Sequence, residues 1–104
     1  MPDYEYYHQG MTFRWNELKA GENEKKHGIT FEEAATAFRD VNAKLYNDEE
    51  HSDKEERFML LGYSESSKLL MVCHCYRESD TVTRIYSARK ATVHERKKYE
   101  HERR

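Results

Sequence analysis

Metal-ligating and nucleophilic residue types stand together once in this chain, at Cys73-His74-Cys75. On a strand, alternation turns both cysteines to one face and His74 to the other, so the three do not converge on one ion. No C-x-x-C or H-x-x-x-H pair elsewhere supplies the four ligands of a structural zinc site. The reading is therefore of no metal and no cofactor. Extended residues two apart are badly placed for a disulfide with each other. A reactive thiolate also needs an electropositive niche that the spacing does not reveal. Both thiols are expected reduced and semi-buried, in a cytoplasmic protein. Gly10, Gly21, Gly28 and Gly62 are isolated, so no glycine-rich loop cradles a phosphate.

Cations beside histidine are more informative. Lys25-Lys26-His27-Gly28 places two ammonium groups and an imidazole at the end of a helix. There they complement the helix dipole, which accounts for them without any function. A histidine titrating near neutrality beside a lysine is equally suited to proton transfer next to a phosphate. Arg77 ends one expected strand, and Arg84 and Arg89 bracket another. Such arginines are either solvated or paired with Glu55 and Glu56; gathered on one side of a sheet they form a bidentate phosphate clamp. Spacing alone leaves both readings open.

The elements that must position these groups read as a small α+β domain. Residues 1–12 form a tail or an edge strand, with Tyr4, Tyr6 and Tyr7 in a faint period of two; residues 13–104 form the single domain. A first helix is expected from Phe13 and Trp15 to Lys26, with Asn16 as N-cap and Gly28 past its end. In the second, Thr30 and Glu33 make a capping box, and Phe31, Ala34, Ala35 and Phe38 share a face; Asp40-Val-Asn42 then breaks the pattern. The polar stretch Asn47 to Glu56 reads as an exposed connection. Three strands follow in an antiparallel meander of three to four, Arg57–Tyr63, Leu69–Tyr76 and Thr81–Ser87. Leu69 to Cys75 is apolar on both faces, as a central strand covered on both sides would be. A terminal helix is expected from Ala88 onward.

Composition bounds the classes. The chain has 104 residues, and its 18 basic and 20 acidic side chains nearly cancel, which argues against disorder despite few branched aliphatics. Eight tyrosines and four methionines can fill the remaining core. The longest apolar run, Leu69 to Cys73, is far short of a membrane span, and no secretory signal opens the chain. The near-neutral total hides an asymmetry: residues 1–83 carry a balance of −7, and residues 84–104 one of +5. A chain with opposed ends can present a cationic surface to a polyanion.

Taken together, Phe13-Arg-Trp-Asn-Glu-Leu-Lys-Ala20, Asn23-Glu-Lys-Lys-His-Gly28 and Phe31-Glu-Glu-Ala34 resemble the opening of the BrnT family. The order continues through His51-Ser52, Glu55-Glu-Arg57, Gly62-Tyr-Ser64 and Arg84-Ile-Tyr-Ser-Ala-Arg-Lys-Ala-Thr92 to Glu95-Arg96 and Tyr99-Glu100. Asp40-Val stands where the family commonly has Asp-Pro, and Tyr86 where an aliphatic is usual. The resemblance implies a RelE-like fold with two N-terminal helices, a meander and a C-terminal helix. It implies the toxin of a bacterial type II toxin–antitoxin pair, a metal-independent endoribonuclease in which a ribose 2′-OH attacks the adjacent phosphate. Its partners would be RNA and a ribbon-helix-helix antitoxin, with operator DNA reached only through that antitoxin, and no membrane.

Matched onto this chain, the motif positions make His27 the proton-transfer group and Lys26, Arg77 and Arg89 the phosphate clamp. His51, Glu56, Arg57, Arg84 and Ser87 are second-rank candidates. A non-catalytic module binding nucleic acid or protein through the same cations is the competing expectation. Convergence of Lys26, His27, Arg77 and Arg89 on one concave patch is what favours the enzyme.

Overall fold

A computed structural model describes residues 3–52 and 54–101. The ends of the expected tail and terminal helix, residues 1–2 and 102–104, lie outside the described residues.

The chain opens not with a helix but with a hairpin. β1 (Asp3–His8) pairs antiparallel with β2 (Met11–Asn16) across Gln9-Gly10, both of positive φ as a two-residue hairpin turn of this hand requires. Residues 3–8 are thus the edge strand that the tyrosine alternation allowed. Phe13 and Trp15, expected in the first helix, belong instead to β2, where both are buried. α1 (Glu17–His27) begins where its cap predicts: Asn16 accepts from the Lys19 amide at 3.1 Å, and Gly28, at φ 72°, closes it. α2 (Phe31–Thr36) is capped by Thr30, which accepts from the Glu33 amide at 3.0 Å, and a 3₁₀ turn carries Ala37–Arg39 beyond it. The Glu33 carboxylate does not complete the box; it accepts instead from Ser64 and Ser66 at the β4–β5 turn.

β3 (Lys44–Asn47) is a strand the polar sequence around it concealed. Then β4 (Phe58–Tyr63), β5 (Leu69–Arg77) and β6 (Val82–Lys90) pair antiparallel in succession before α3 (Val93–His101), but as part of a larger sheet than the expected meander. β6 runs through Ala88–Lys90, which the sequence assigned to the helix. The six strands lie in the order β1-β2-β6-β5-β4-β3, and β2 runs parallel to β6. The sheet is therefore mixed, and the expected order of helix, helix, meander and helix is corrected by a strand pair ahead of the helices and a further edge strand.

Helices cover both faces. α1 and α2 bury Phe13, Trp15, Phe31, Leu60, Leu70, Val72 and Ile85 in the main core. On the other face Tyr99 of α3 packs on Leu61, Leu69 and Met71. β5 is buried from Leu69 to Cys75: one side lies under α1 and α2, and the other under α3 as far as Met71 and against the Asp48 and Tyr86 side chains at Cys73 and Cys75. Gly62 is required by a close approach, since a Cβ there would lie 2.9 Å from the Ala37 carbonyl oxygen.

Candidate active site

α3 covers only the β3–β4 end of its face. Along β5 the residues on that face run from Leu69 and Met71 under the helix to Cys73, Cys75 and Arg77 beyond it. There the sheet is open, and a cavity of about 480 Å³ forms over it.

A bulge in β6 builds this cavity. Cys73 pairs with Ser87 while the next residue, His74, pairs with Ile85, so Tyr86 is extra in its strand. Tyr86 and Ser87, although consecutive, both line the cavity. Ile85 and Ala88, three apart, are both in the main core. Unbulged alternation would put Ser87 and Arg89 on the face opposite Tyr86. With the bulge, Tyr86, Ser87 and Arg89 share one wall.

Asn23 joins α1 to this strand. Its amide accepts from the Ala88 N–H at 3.0 Å and donates to the Ala88 and Ile29 carbonyls at 2.8 and 3.0 Å. It thereby acts as one more strand residue at the edge of the bulge. One turn later come Lys26 and His27, which line a smaller hollow of about 180 Å³ together with Lys19, Tyr86 and Ser87. Lys19, Tyr86 and Ser87 also line the main cavity, so the two are contiguous.

The opposite wall comes from the segment between β3 and β4. His51 Nδ1 lies 3.0 Å from Asp48 Oδ2, and Arg57 and Glu50 stand beside them in the main cavity. Asp48 also accepts from the Cys73 thiol at 3.4 Å. Burial, with the Asp48 carboxylate alongside, pushes that thiol up to about 12, so Cys73 is an inert donor. His74 lies on the other face, its ring against Phe38 and bonded to the Val72 carbonyl. Asp48, Glu50 and His51 bring ligand atoms within 4.8 Å of one another and are the described residues that could hold a cation.

The guanidinium groups of this face differ in their partners. Arg89 is held in a fork by Glu95, at 2.8 and 2.9 Å. That contact, with the Thr92 amide, keeps the Glu95 carboxyl down at about 2. Arg77 pairs with Glu55 at 2.9 Å and donates to the Tyr86 hydroxyl at 3.1 Å; Glu55 raises its basicity further. The Tyr86 hydroxyl donates to the same Glu55. Arg84 is bound bidentately by Asp3, and Arg14 by Glu5 and Glu78. Arg57 differs. Its guanidinium carbon lies 3.8 Å over the Tyr86 ring, and no carboxylate among the described residues is within ion-pair distance of it.

The structure therefore gathers Arg89, His51, Arg57 and Ser87 in the main cavity, with Lys26 and His27 in the adjoining hollow. Arg77 lines neither space and is held by Glu55 and the Tyr86 hydroxyl. Arg84 lies farther out, 5.8 Å from the Tyr86 ring centroid and tied to β1. Glu56 is exposed, and its neighbour Glu55 enters the network in its place. Sequence reasoning missed Lys19 and Asp48. It registered Tyr86 only as an unusual residue at its position, which was the available signal.

Comparison with known proteins gives the family and the fold. A family model described as the ribonuclease toxin BrnT of type II toxin–antitoxin systems matches residues 15–95. The crystal structure of the Brucella abortus ribonuclease toxin BrnT is similar, with a TM-score of 0.57 and 25% sequence identity. That match covers 75% of this chain and 92% of the other. No curated protein sequence matches the chain.

Proposed function

The chain belongs to the BrnT family of ribonuclease toxins of type II toxin–antitoxin systems, and from that premise we propose how its cavity cleaves RNA and what silences it. The carrying observation is one cavity that joins a carboxylate-oriented histidine to arginines.

Cleavage by internal attack needs a base for the ribose 2′-OH, an acid for the departing 5′-oxygen, and cations for the charge that gathers on phosphate. His51, oriented by Asp48, takes the proton from the 2′-OH. Arg57 holds the phosphate oxygens. Arg89, its fork bound by Glu95, supports them with its charge and exchanges that carboxylate for phosphate when RNA binds, with Lys19 and Lys26 drawing in the flanking backbone. Motif matching gave the proton-transfer role to His27; the shared cavity and the Asp48 bond favour His51 as base. His27, next to Lys26 in the contiguous hollow, remains placed to return the proton to the leaving oxygen. Arg77 stabilises the site through Glu55 and Tyr86 rather than by touching phosphate. The two histidines and the cations supply every group the reaction needs, which supports cleavage without a metal.

The test is cleavage of an RNA oligonucleotide in EDTA. The expected product carries a 2′,3′-cyclic phosphate, and a substrate with deoxyribose at the scissile position stays intact. Loss of cleavage in EDTA, restored by a divalent cation, overturns the metal-free mechanism.

The toxin's partner is an antitoxin, and we take it to be a ribbon-helix-helix protein that masks this cationic face and carries the complex to operator DNA. Co-expression with the adjacent reading frame should yield a complex that no longer cleaves RNA. A complex that cleaves as fast as the free toxin sinks the masking idea.

A further inference from the structure

Arg57 and Tyr86 form a unit with a feature that phosphate binding alone does not use: a guanidinium seated on an aromatic ring. The guanidinium carbon lies 3.8 Å from the ring centroid, a close cation–π contact. The ring beneath it is fixed, because its hydroxyl is held by Glu55 and Arg77 and lies 3.3 Å from the Cys75 sulfur. The bulge in β6 is what aims this extra ring at the cavity rather than into the core. Arg57 is also a shared wall: it lines both the main cavity and a second hollow of about 220 Å³ with His51, Lys54 and Glu55. Its Nε is buried without a hydrogen-bond partner among the described residues. A carboxylate occupies each of Arg77, Arg84 and Arg89, whereas Arg57 has no carboxylate partner among the described residues.

We propose that the Arg57–Tyr86 stack is a nucleobase platform, on which a base of the RNA next to the scissile phosphate lies against the outer face of the guanidinium. Single-stranded RNA is recognised by such splayed bases on aromatic rings and guanidinium planes. The terminal N–H groups of Arg57, which make no ion pair among the described residues, can meet a phosphate while its face carries the base. The platform rests on the ribonuclease reading for its substrate, but its binding can be measured without cleavage.

The probe is a set of non-cleavable 2′-O-methyl RNA octamers, each with one abasic position, walked along the strand. Affinities are read by fluorescence anisotropy on the wild type, Tyr86→Phe and Tyr86→Ile; the β-branched isoleucine suits a strand and keeps the fold. One position should show about a 5- to 150-fold loss when its base is removed, on the wild type and on Tyr86→Phe alike. On Tyr86→Ile that loss should shrink to about twofold or less, because the floor of the stack is gone. An unchanged abasic penalty in Tyr86→Ile, or no sensitive position on the wild type, overturns the platform. So does a sensitivity reproduced by neutralising one phosphate but not by removing a base, which makes Arg57 a phosphate ligand only. Cleavage of ordinary RNA separates the two readings. A wild type that binds with a Tyr86-dependent base position yet cuts nothing defeats the cleavage mechanism and leaves the platform standing.

Discussion

Leu70, Val72 and His74 turn from β5 into the core under α1 and α2, while Cys73, Cys75 and Arg77 of the same strand turn to the opposite face. The two faces have the same backbone and the same period of two, and they differ in cover. Under the helices, polar groups survive only when fully bonded, as Asn23 is with three hydrogen bonds. Beyond the reach of α3, the sheet displays arginines, and among the described residues carboxylates hold Arg77, Arg84 and Arg89 but not Arg57. Where a helix covers the sheet, side chains supply stability; where it stops, the strands become a scaffold for charge. The single extra residue in β6 serves both, since it keeps Ile85 and Ala88 in the core while turning Tyr86, Ser87 and Arg89 to the cavity.

This division can be broken at either face. His51→Ala should slow RNA cleavage by about 10²- to 10⁴-fold and leave urea unfolding unchanged, since its ring is exposed. A variant that cleaves at the wild-type rate removes His51 from the chemistry. Phe31→Ala, from the covered face, should lose about 3–5 kcal/mol of stability, because a fully buried ring leaves a cavity among packed neighbours. A loss below about 1 kcal/mol would show that the core collapses around the gap.

His74 sharpens the comparison through pH. Burial lowers its pKa from 6.5 to about 4. As pH falls below 6.5 the unfolded chain takes up a proton that the folded one refuses until about pH 4. Stability should therefore fall across that window, by on the order of 3 kcal/mol. His74→Phe, packed among Phe38, Phe58 and Tyr76, should flatten the slope. An equal slope in the variant assigns the acid sensitivity elsewhere. The smallest effect is at Glu95, whose carboxyl is held near 2 by Arg89 and the Thr92 amide. A depressed folded-state pKa contributes stability above the unfolded value of 4.5 that is lost as pH falls through about 2. Because the pair is part-exposed, Glu95→Gln should cost about 1 kcal/mol or less at pH 7 and remove that acid-range loss. A larger cost would mean that this contact anchors α3 to the sheet.

Much of the site was legible as residue types, and less of it as geometry. The run Lys26-His27-Gly28 reads as a helix end, and Asn23 three residues earlier reads only as a polar helical residue. Its hydrogen bonds to Ala88 span 65 positions. His51 was visible as a candidate, but Asp48, which orients it, sits in an acidic stretch that looks like solvated loop.

What the sequence determined by itself was local. Asn16, Thr30 and Gly28 fix the helix ends because a cap is satisfied within three or four residues, and the unbroken apolar run of β5 requires a strand with cover on both faces. The motif order carried the family. Tertiary structure decided the rest, since strands are completed by partners far along the chain. Phe13 and Trp15 are in a strand because β2 finds both β1 and β6, Phe13 lying opposite Thr83. The bulge at Tyr86 exists only in the register of β6 against β5, and no local rule announces it. Residues three apart on a regular strand face opposite ways; one inserted residue in the pairing brings Tyr86 and Arg89 to the same side, and the cavity of this molecule depends on that shift.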